Sequence, residues 1–248
     1  MMSKNVFASL ILLALLLCAV AWTRNANQSQ TPVVQTSTVR TQEPSAYPVE
    51  PFVDSVALQR AWPDMVKLSS PPIGNPKAPW AMIELGEFQS LECADAAPVL
   101  MRAIKDSKGK AKMYFFNCPL VGKNGLAMTA AEAGAEAAAQ GKFWEMYRLL
   151  YSHQDQLSIR EIERNAHSIP GFDTGKLAAD FAGWKHNTVI MRQFALLTKL
   201  GLHDVPTLIV RSPSGAISYY SGMTGLADAP GIPKFAAAYP WKTAQAWR

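Results

Sequence analysis

Hydrophobic and polar positions alternate in blocks after residue 65 and predict a mixed α/β domain. The apolar block at 81–88 follows Pro79 and predicts a buried strand, and the block at 112–116 predicts a second strand. Apolar side chains at helical spacing predict a helix between them, over residues 95–106. Because a helix joins the two strands, they are most simply parallel neighbours in a right-handed βαβ unit.

The chain between residues 120 and 200 carries helical patterns almost throughout. Helices are predicted at 127–140, at 143–153, from Ser158 onward, at 174–182 and at 186–200. Strands at 207–211 and 216–220 flank a Ser-Pro-Ser-Gly turn and predict a hairpin, and a short helix is predicted at 233–239. A βαβ unit, a helical insertion at about 120–200 and a ββα unit are the layout of an α/β thioredoxin fold with an inserted helical subdomain.

The amino-terminal region is predicted to export the rest of the chain. Residues 6–22 are uncharged and almost wholly apolar, with Lys4 before them, which is typical of a signal peptide or a membrane anchor. Cleavage after Ala21 and retention as an inner-membrane anchor are both open at this point. Residues 23–65 predict a polar linker rich in Pro, Thr and Gln, which leaves 66–248 as the folded domain. Both alternatives place that domain in the periplasm or otherwise outside the cytoplasmic membrane.

Composition narrows the classes of function. Hydrophobic residues make up 49% of the chain and charged residues 17%, which excludes a disordered or fibrous protein. The net charge is +5, but no basic run interleaved with aromatic residues is seen, so a nucleic-acid partner is not predicted. The cysteines are Cys18, Cys93 and Cys118, which excludes a four-cysteine metal site. No cofactor is predicted.

Five short segments in order resemble the DsbA-like branch of thioredoxin-fold proteins. They are IGNPKAP at 73–79, EFQSLEC at 87–93, PL at 119–120, QGKFWEM at 140–146 and VPT at 205–207. The resemblance covers residues 74–222, most of the predicted folded part. It implies the same fold and membership of the thiol-disulfide oxidoreductase family.

The resemblance implies a Cys-x-x-Cys motif at the start of the first helix, whose first cysteine attacks a disulfide and whose second resolves the mixed disulfide. Here Cys93 is placed at the attacking position and Ala96 at the resolving position. Because Pro98 is best tolerated in a first turn, the helix is expected to begin at Asp95 as its cap. The Asp95 carboxylate would oppose a thiolate nearby. The motif therefore predicts weak or altered redox activity.

Four further residues are candidates for the site. The resemblance implies that Pro206 is a cis proline against Cys93, the alternative being a trans turn proline. It also implies that Glu87, six residues before Cys93, is a buried proton-relay acid, the alternative being a carboxylate in solvent. His203, three residues before Pro206, is expected in a surface loop, the alternative being a position close to Cys93. Cys118 follows the second strand and reaches the same sheet edge as Cys93, either as a small buried hydrophobe or as its disulfide partner.

These residues leave two classes of function open, and a third has less support in the sequence. The first is an exported thiol-disulfide oxidoreductase that uses Cys93 alone or with a distant partner. The second is a non-catalytic, tethered binding or scaffolding subunit of a cell-envelope complex. Both require a protein substrate or protein partner. The third is a copper or zinc site formed by Cys93, Cys118 and His203, whose positions have no metal-site spacing.

Overall fold

The structure is a computed structural model that describes residues 54–119, 126–222 and 225–226. The chain divides into two units, 1–48 and 49–248, and every described residue belongs to the second. The predicted export segment at 6–22, most of the linker and the helix at 233–239 lie outside the described residues. Within the described ranges, none of the helices has the length and apolar content that a membrane span requires.

One mixed sheet forms the centre of the domain, with its strands in the order β1-β3-β2-β4-β5. The strands are β1 (Ile73–Gly74), β2 (Trp80–Gly86), β3 (Ala111–Asn117), β4 (Thr207–Arg211) and β5 (Ile217–Ser221). The strands β2 and β3 are parallel, which confirms the predicted βαβ unit. The strand β4 is antiparallel to both β2 and β5, which confirms the predicted hairpin.

Helices cover the sheet and form the inserted subdomain. The first two are α1 (Ser55–Leu68) and α2 (Leu91–Asp106). The insertion contains α3 (Leu126–Ala139), α4 (Phe143–Ser152), a 3-10 turn (Gln154–Gln156), α5 (Ile159–Ala166), α6 (Thr174–Gly183) and α7 (Asn187–Leu200). The predicted fold class and its helical insertion between the second and third major strands are therefore confirmed.

The folded domain begins earlier than the sequence predicts. Residues 55–65 were expected in the linker, but they belong to α1. Leu58, Trp62 and Met65 of this helix are buried in the core against β2 and α7. Asp54 caps the helix by accepting a hydrogen bond from the Val56 N–H at 2.8 Å. Burial of three apolar side chains at helical spacing explains why this part of the polar region folds.

The two faces of the sheet have different coverings. Ile83 and Leu85 of β2 pack with Phe116 against α1 and α7. On the opposite face, Met82 packs against α2 and Phe115 packs against the inserted subdomain. Successive strand residues point to opposite faces, so Glu84 lies on the same face as Met82. This register places a carboxyl group between the sheet and the helical insertion.

Candidate functional site

The helix α2 begins at Leu91, and Ser90 is its amino-terminal cap. The Ser90 backbone is extended, with φ −73° and ψ 120°, and its Oγ accepts a hydrogen bond from the Cys93 N–H at 3.2 Å. The predicted start at Asp95 is therefore wrong, and Pro98 lies inside the helix. Serine is a preferred cap because its side-chain oxygen satisfies a backbone N–H that has no helical partner. Ser90 was thus the sequence signal for this start.

Cys93 lies in the first turn of α2 and is 0% exposed. It packs in the core cluster that contains Phe88, Phe115 and Tyr147. Burial raises the pKa of its thiol to about 12, and nearby carboxyl groups contribute in the same direction. Reactive cysteines are partly exposed and have lowered pKa values. Cys93 has neither property, whereas Ser90, at the start of the helix, is partly exposed.

Glu84 is a buried acid that the sequence analysis did not single out. It is 1% exposed, and its Oε2 accepts a hydrogen bond from the Tyr147 hydroxyl at 2.8 Å. Burial raises the pKa of its carboxyl to about 8, although the hydrogen bond from Tyr147 lowers it in part. A signal was present: a near-continuous apolar strand is buried on both faces, so an acid inside it must also be buried.

The loop between β2 and α2 is held by hydrogen bonds from both sides. Glu87 is 5% exposed, which excludes its predicted alternative of a carboxylate in solvent, and its Oε1 accepts a hydrogen bond from the Gln89 N–H at 2.8 Å. Burial raises the pKa of Glu87, while hydrogen bonds from backbone N–H groups lower it in part. The Gln154 amide donates to the carbonyl oxygens of Phe88 at 2.7 Å and Ser90 at 2.8 Å. The inserted subdomain thus fixes the position of Ser90.

A second loop reaches the same edge of the sheet. The Val205–Pro206 peptide bond is cis, as the resemblance implied. Thr207, which follows it, pairs with Leu85 near the end of β2, so the two loops are neighbours. Leu91 at the start of α2 is 75% exposed, which leaves an apolar side chain in solvent at the first turn of α2. His203 is exposed, as expected of a surface-loop residue.

Cys118 also lies at this edge, but on the other face of the sheet. Its N–H donates to the Gly86 carbonyl at 2.9 Å, which places it directly beyond β3. Its side chain packs with Leu85 and Phe116, away from the cluster that contains Cys93. Burial raises the pKa of the Cys118 thiol to about 12. Both thiols are free, so Cys118 is the small buried hydrophobe of the two predicted alternatives.

The described residues include one group of side chains with metal-ligand geometry. Ligand atoms of Glu136, Asp180 and His186 lie within 4.8 Å of one another. However, the Lys185 Nζ lies 3.3 Å from both carboxylates, so a positive charge already offsets part of their negative charge. His186 Nε2 is 2.9 Å from Glu136 and 3.1 Å from Asp180. This cluster is therefore an ion-pair network that joins α3, α6 and the start of α7.

The weaker metal hypothesis is wrong for the residues that it named. Cys93 and Cys118 pack on opposite faces of the sheet, and His203 is exposed on a loop. These three side chains are not among the ligand groups that the described part of the chain brings together.

Comparisons with known proteins agree with this fold. A family model described as thioredoxin matches residues 67–214. The crystal structure of oxidised BdbD from Bacillus subtilis is similar with a TM-score of 0.57 and 20% identity, over 70% of this chain and 93% of that chain. The thiol-disulfide exchange protein alpha-DsbA2 from Wolbachia pipientis is similar with a TM-score of 0.57 and 20% identity, over 68% of this chain and 87% of that chain.

Relatives with higher identity share shorter segments. The Na(+)/H(+) antiporter NhaA 3 of Salinispora tropica is 34% identical over 93 residues, which are 38% of this chain and 14% of the antiporter. A probable disulfide bond formation protein D of Bacillus anthracis is 29% identical over 85 residues, which are 33% of this chain and 39% of that protein. The chain thus spans a small part of the antiporter and less than half of the Bacillus protein.

Proposed function

We propose, from the premise that this chain belongs to the thioredoxin family in its DsbA-like branch, that its motif is Ser90-Leu91-Glu92-Cys93. In the DsbA-like branch that this chain resembles, a Cys-x-x-Cys motif stands at the start of the first helix. The cap of α2 is Ser90, and Cys93 is three residues later in the buried first turn. Serine then occupies the attacking position and Cys93 the resolving position, in place of the assignment to Cys93 and Ala96.

The position of the buried acid supports the same register. The resemblance implies an acid six residues before the attacking position. Counted from Ser90, that residue is Glu84, which is buried in the central strand. Counted from Cys93 it is Glu87, which lies in the loop and bonds to the loop backbone. The motif that starts at Ser90 therefore accounts for the helix cap and for the buried acid together.

The chemistry of this motif excludes the usual disulfide cycle. In that cycle a thiolate attacks a disulfide sulfur, forms a mixed disulfide and releases the other sulfur as a thiolate. A serine hydroxyl has no sulfur with which to form the mixed disulfide. Cys93 alone would have to attack from a fully buried position with a pKa of about 12. The hypothesis of an oxidoreductase that uses Cys93 alone is therefore the less favoured of the two.

The function that this geometry favours is binding without redox turnover. Ser90 as the cap of α2 is the single observation that carries this conclusion. The exposed Leu91 at the start of α2, and the loop of Pro206 at the same sheet edge as Ser90, offer a surface for a polypeptide partner in the cell envelope. Residues 6–22 would export the domain, either as a cleaved signal or as a retained inner-membrane anchor.

A pair of cysteine substitutions tests the motif register. After oxidation with glutathione disulfide, Ser90→Cys should hold a disulfide with Cys93 and pass it to a reduced, unfolded protein, because it restores both sulfurs at the start of α2. The matched control is Ala96→Cys, which should stay inactive because its two sulfurs, at positions 93 and 96, would both be buried, whereas position 90 is partly exposed. The wild-type chain should be inactive as well. Activity in Ala96→Cys but not in Ser90→Cys would show that the motif positions are Cys93 and Ala96 instead. Activity of the wild-type chain would refute a purely binding function.

A further inference from the structure

Basic residues gather at the end of the sheet that lies opposite Ser90. The segments 74–80, 102–112 and 211–216 contain seven basic residues and one acidic residue. These are Lys77, Arg102, Lys105, Lys108, Lys110, Lys112 and Arg211, with Asp106. Outside the three segments the chain has 17 basic and 18 acidic residues. The three segments therefore account for the whole positive charge of the protein.

Backbone contacts bring these segments to one end of the sheet. The Trp80 N–H donates to the Lys110 carbonyl at 3.2 Å, and the Lys112 Nζ donates to the Pro76 carbonyl at 2.7 Å. Arg211 is paired with Ala81 at the start of β2. We call the five exposed side chains here the basic end: Lys77, Lys105, Lys108, Lys110 and Arg211.

The basic end is not neutralised by nearby acids. Asp106 is the acid in these segments, and it is bonded to Arg102 at 3.1 Å. Across the part of the chain that the structure describes, the five side chains of the basic end form no ion pair. Lys108 also has a left-handed backbone, with φ +51°, where Gly or Asn is usually favoured. The turn thus carries lysine where turn geometry alone would favour another residue.

The basic end and the Ser90 edge are at opposite ends of the central strands. Lys77 and Lys110 precede β2 and β3, whereas Ser90 follows β2. Both strands are seven residues long, and a strand rises about 3.3 Å per residue, so the two ends are about 20 Å apart. A flat surface bound at the basic end would leave the Ser90 edge free.

We propose that the basic end binds the surface of an anionic phospholipid bilayer and orients the Ser90 edge away from it. Exposed lysines at separate positions suit a dispersed array of negative headgroups, because an ammonium group is a point charge without a fixed binding geometry. If the residues between 22 and 54 form the polar linker that the sequence predicts, a flexible chain of this length would span about 30 Å. If residues 6–22 are retained as the proposed anchor, this length holds the domain next to the membrane. The positive charge of the basic end does not depend on that anchor.

Energy transfer from two positions on the full chain tests the orientation. Fluorescent labels go on Ser214→Cys, in the exposed hairpin loop at the basic end, or on the exposed Glu92→Cys, beside Ser90. Both chains carry Cys18→Ser, while Cys93 and Cys118 are buried. The probes are phosphatidylcholine vesicles with and without about one third phosphatidylglycerol, each with an acceptor lipid. In vesicles that contain phosphatidylglycerol, we expect energy transfer from the label at position 214 to be at least twice the transfer from the label at position 92. About 0.5 M salt should abolish this difference between the two labels.

Matched variants show which charges cause the response to phosphatidylglycerol. A variant in which Gln replaces Lys77, Lys105, Lys108 and Lys110 should lose this response. Gln at Arg60, Lys67, Arg192 and Lys199, all exposed on α1 and α7, removes the same charge and should leave the effect unchanged. Equal transfer from the two labels in both kinds of vesicle would overturn the proposal and favour an acidic protein surface. Failure of the proposed anchor at residues 6–22 can be distinguished from failure of the basic end. Without the anchor, transfer in neutral vesicles is lost while the effect of phosphatidylglycerol persists.

Discussion

The carboxyl group of Glu84 in the central strand accepts hydrogen bonds from the Tyr147 hydroxyl in the inserted subdomain, at 2.8 Å to Oε2 and 3.1 Å to Oε1. This contact joins the sheet to the helical insertion through two fully buried side chains. The Tyr147 ring also packs at 5.5 Å from the Phe115 ring, with their planes close to perpendicular. A polar contact therefore lies within an aromatic core, where a change in protonation has a large effect on stability.

Stability should fall as the pH rises through neutrality because of Glu84. Burial raises the pKa of its carboxyl from 4.5 to about 8. Between these values the folded state holds a proton that the unfolded state has released, so the free energy of unfolding falls by about 5 kcal/mol as the pH rises from 4.5 to 8. Glu84→Gln should remove this slope and be the more stable chain at alkaline pH. The measurement is urea unfolding across the pH range, with the exposed Glu92→Gln as control; parallel wild-type and Glu84→Gln profiles would contradict it.

Two buried tyrosines should respond differently to loss of the hydroxyl. Tyr147→Phe leaves the buried carboxyl of Glu84 without its bond and should cost about 1–3 kcal/mol. The Tyr151 hydroxyl is buried and has no hydrogen-bond partner among the described residues. Tyr151→Phe should therefore change stability by less than about 0.5 kcal/mol or increase it. Thermal unfolding of both variants at one pH compares them, and equal losses would refute the distinction.

The thiols of Cys93 and Cys118 should be unreactive in the folded chain. Both are buried with a pKa of about 12, so only about one thiol in ten thousand is ionised at pH 8 in the folded chain. In a chain carrying Cys18→Ser, an aromatic disulfide reagent should modify them at least 100-fold more slowly before denaturation than after it. Rapid titration of one thiol in the folded protein would show that Cys93 or Cys118 is accessible and would support a redox role.

Much of the fold could be predicted because it depends on periodicity. The strands and the long helices have apolar residues at spacings that only one element satisfies, and a helix between two strands fixes their parallel pairing. The register of the motif could not be fixed in this way. Pro98 favours a helix that starts close before it, yet α2 accepts proline in its interior and starts at Leu91, with Ser90 as its cap. The capping hydrogen bond of Ser90 therefore sets the start of the helix, although the local preference of Pro98 alone predicts a later one.

Glu84 and α1 were missed for a different physical reason. The environment of Glu84 depends on Tyr147, which is 63 residues away in the chain, so local patterns give no indication of its partner. In α1, Leu58 and Trp62 are separated by polar residues and are stabilised by packing on the sheet. Tertiary contacts of this kind override a polar local composition.

Close packing beside the site makes Gly86 sensitive to substitution. A methyl group at this position would lie 2.5 Å from the Phe115 ring and 3.0 Å from the Tyr151 hydroxyl. Gly86→Ala should therefore cost about 1–3 kcal/mol, since these neighbours must move. The control is Gly183→Ala, where the added methyl group meets nothing within 4 Å and should be neutral or stabilising. Denaturant midpoints of both variants measure the contrast, and a neutral Gly86→Ala would show that the aromatic core rearranges easily.

The ion-pair network of Glu136, Asp180, Lys185 and His186 has a consequence for how the insertion opens. Burial would raise the pKa of Glu136, but hydrogen bonds from its neighbours outweigh burial and lower it to about 2. Opening one of the three helices would break hydrogen bonds or ion pairs of a buried carboxylate on another, which is costly. The helices α3, α6 and α7 therefore form one cooperative unit, and the backbone amides of their buried turns should exchange with deuterium together rather than helix by helix.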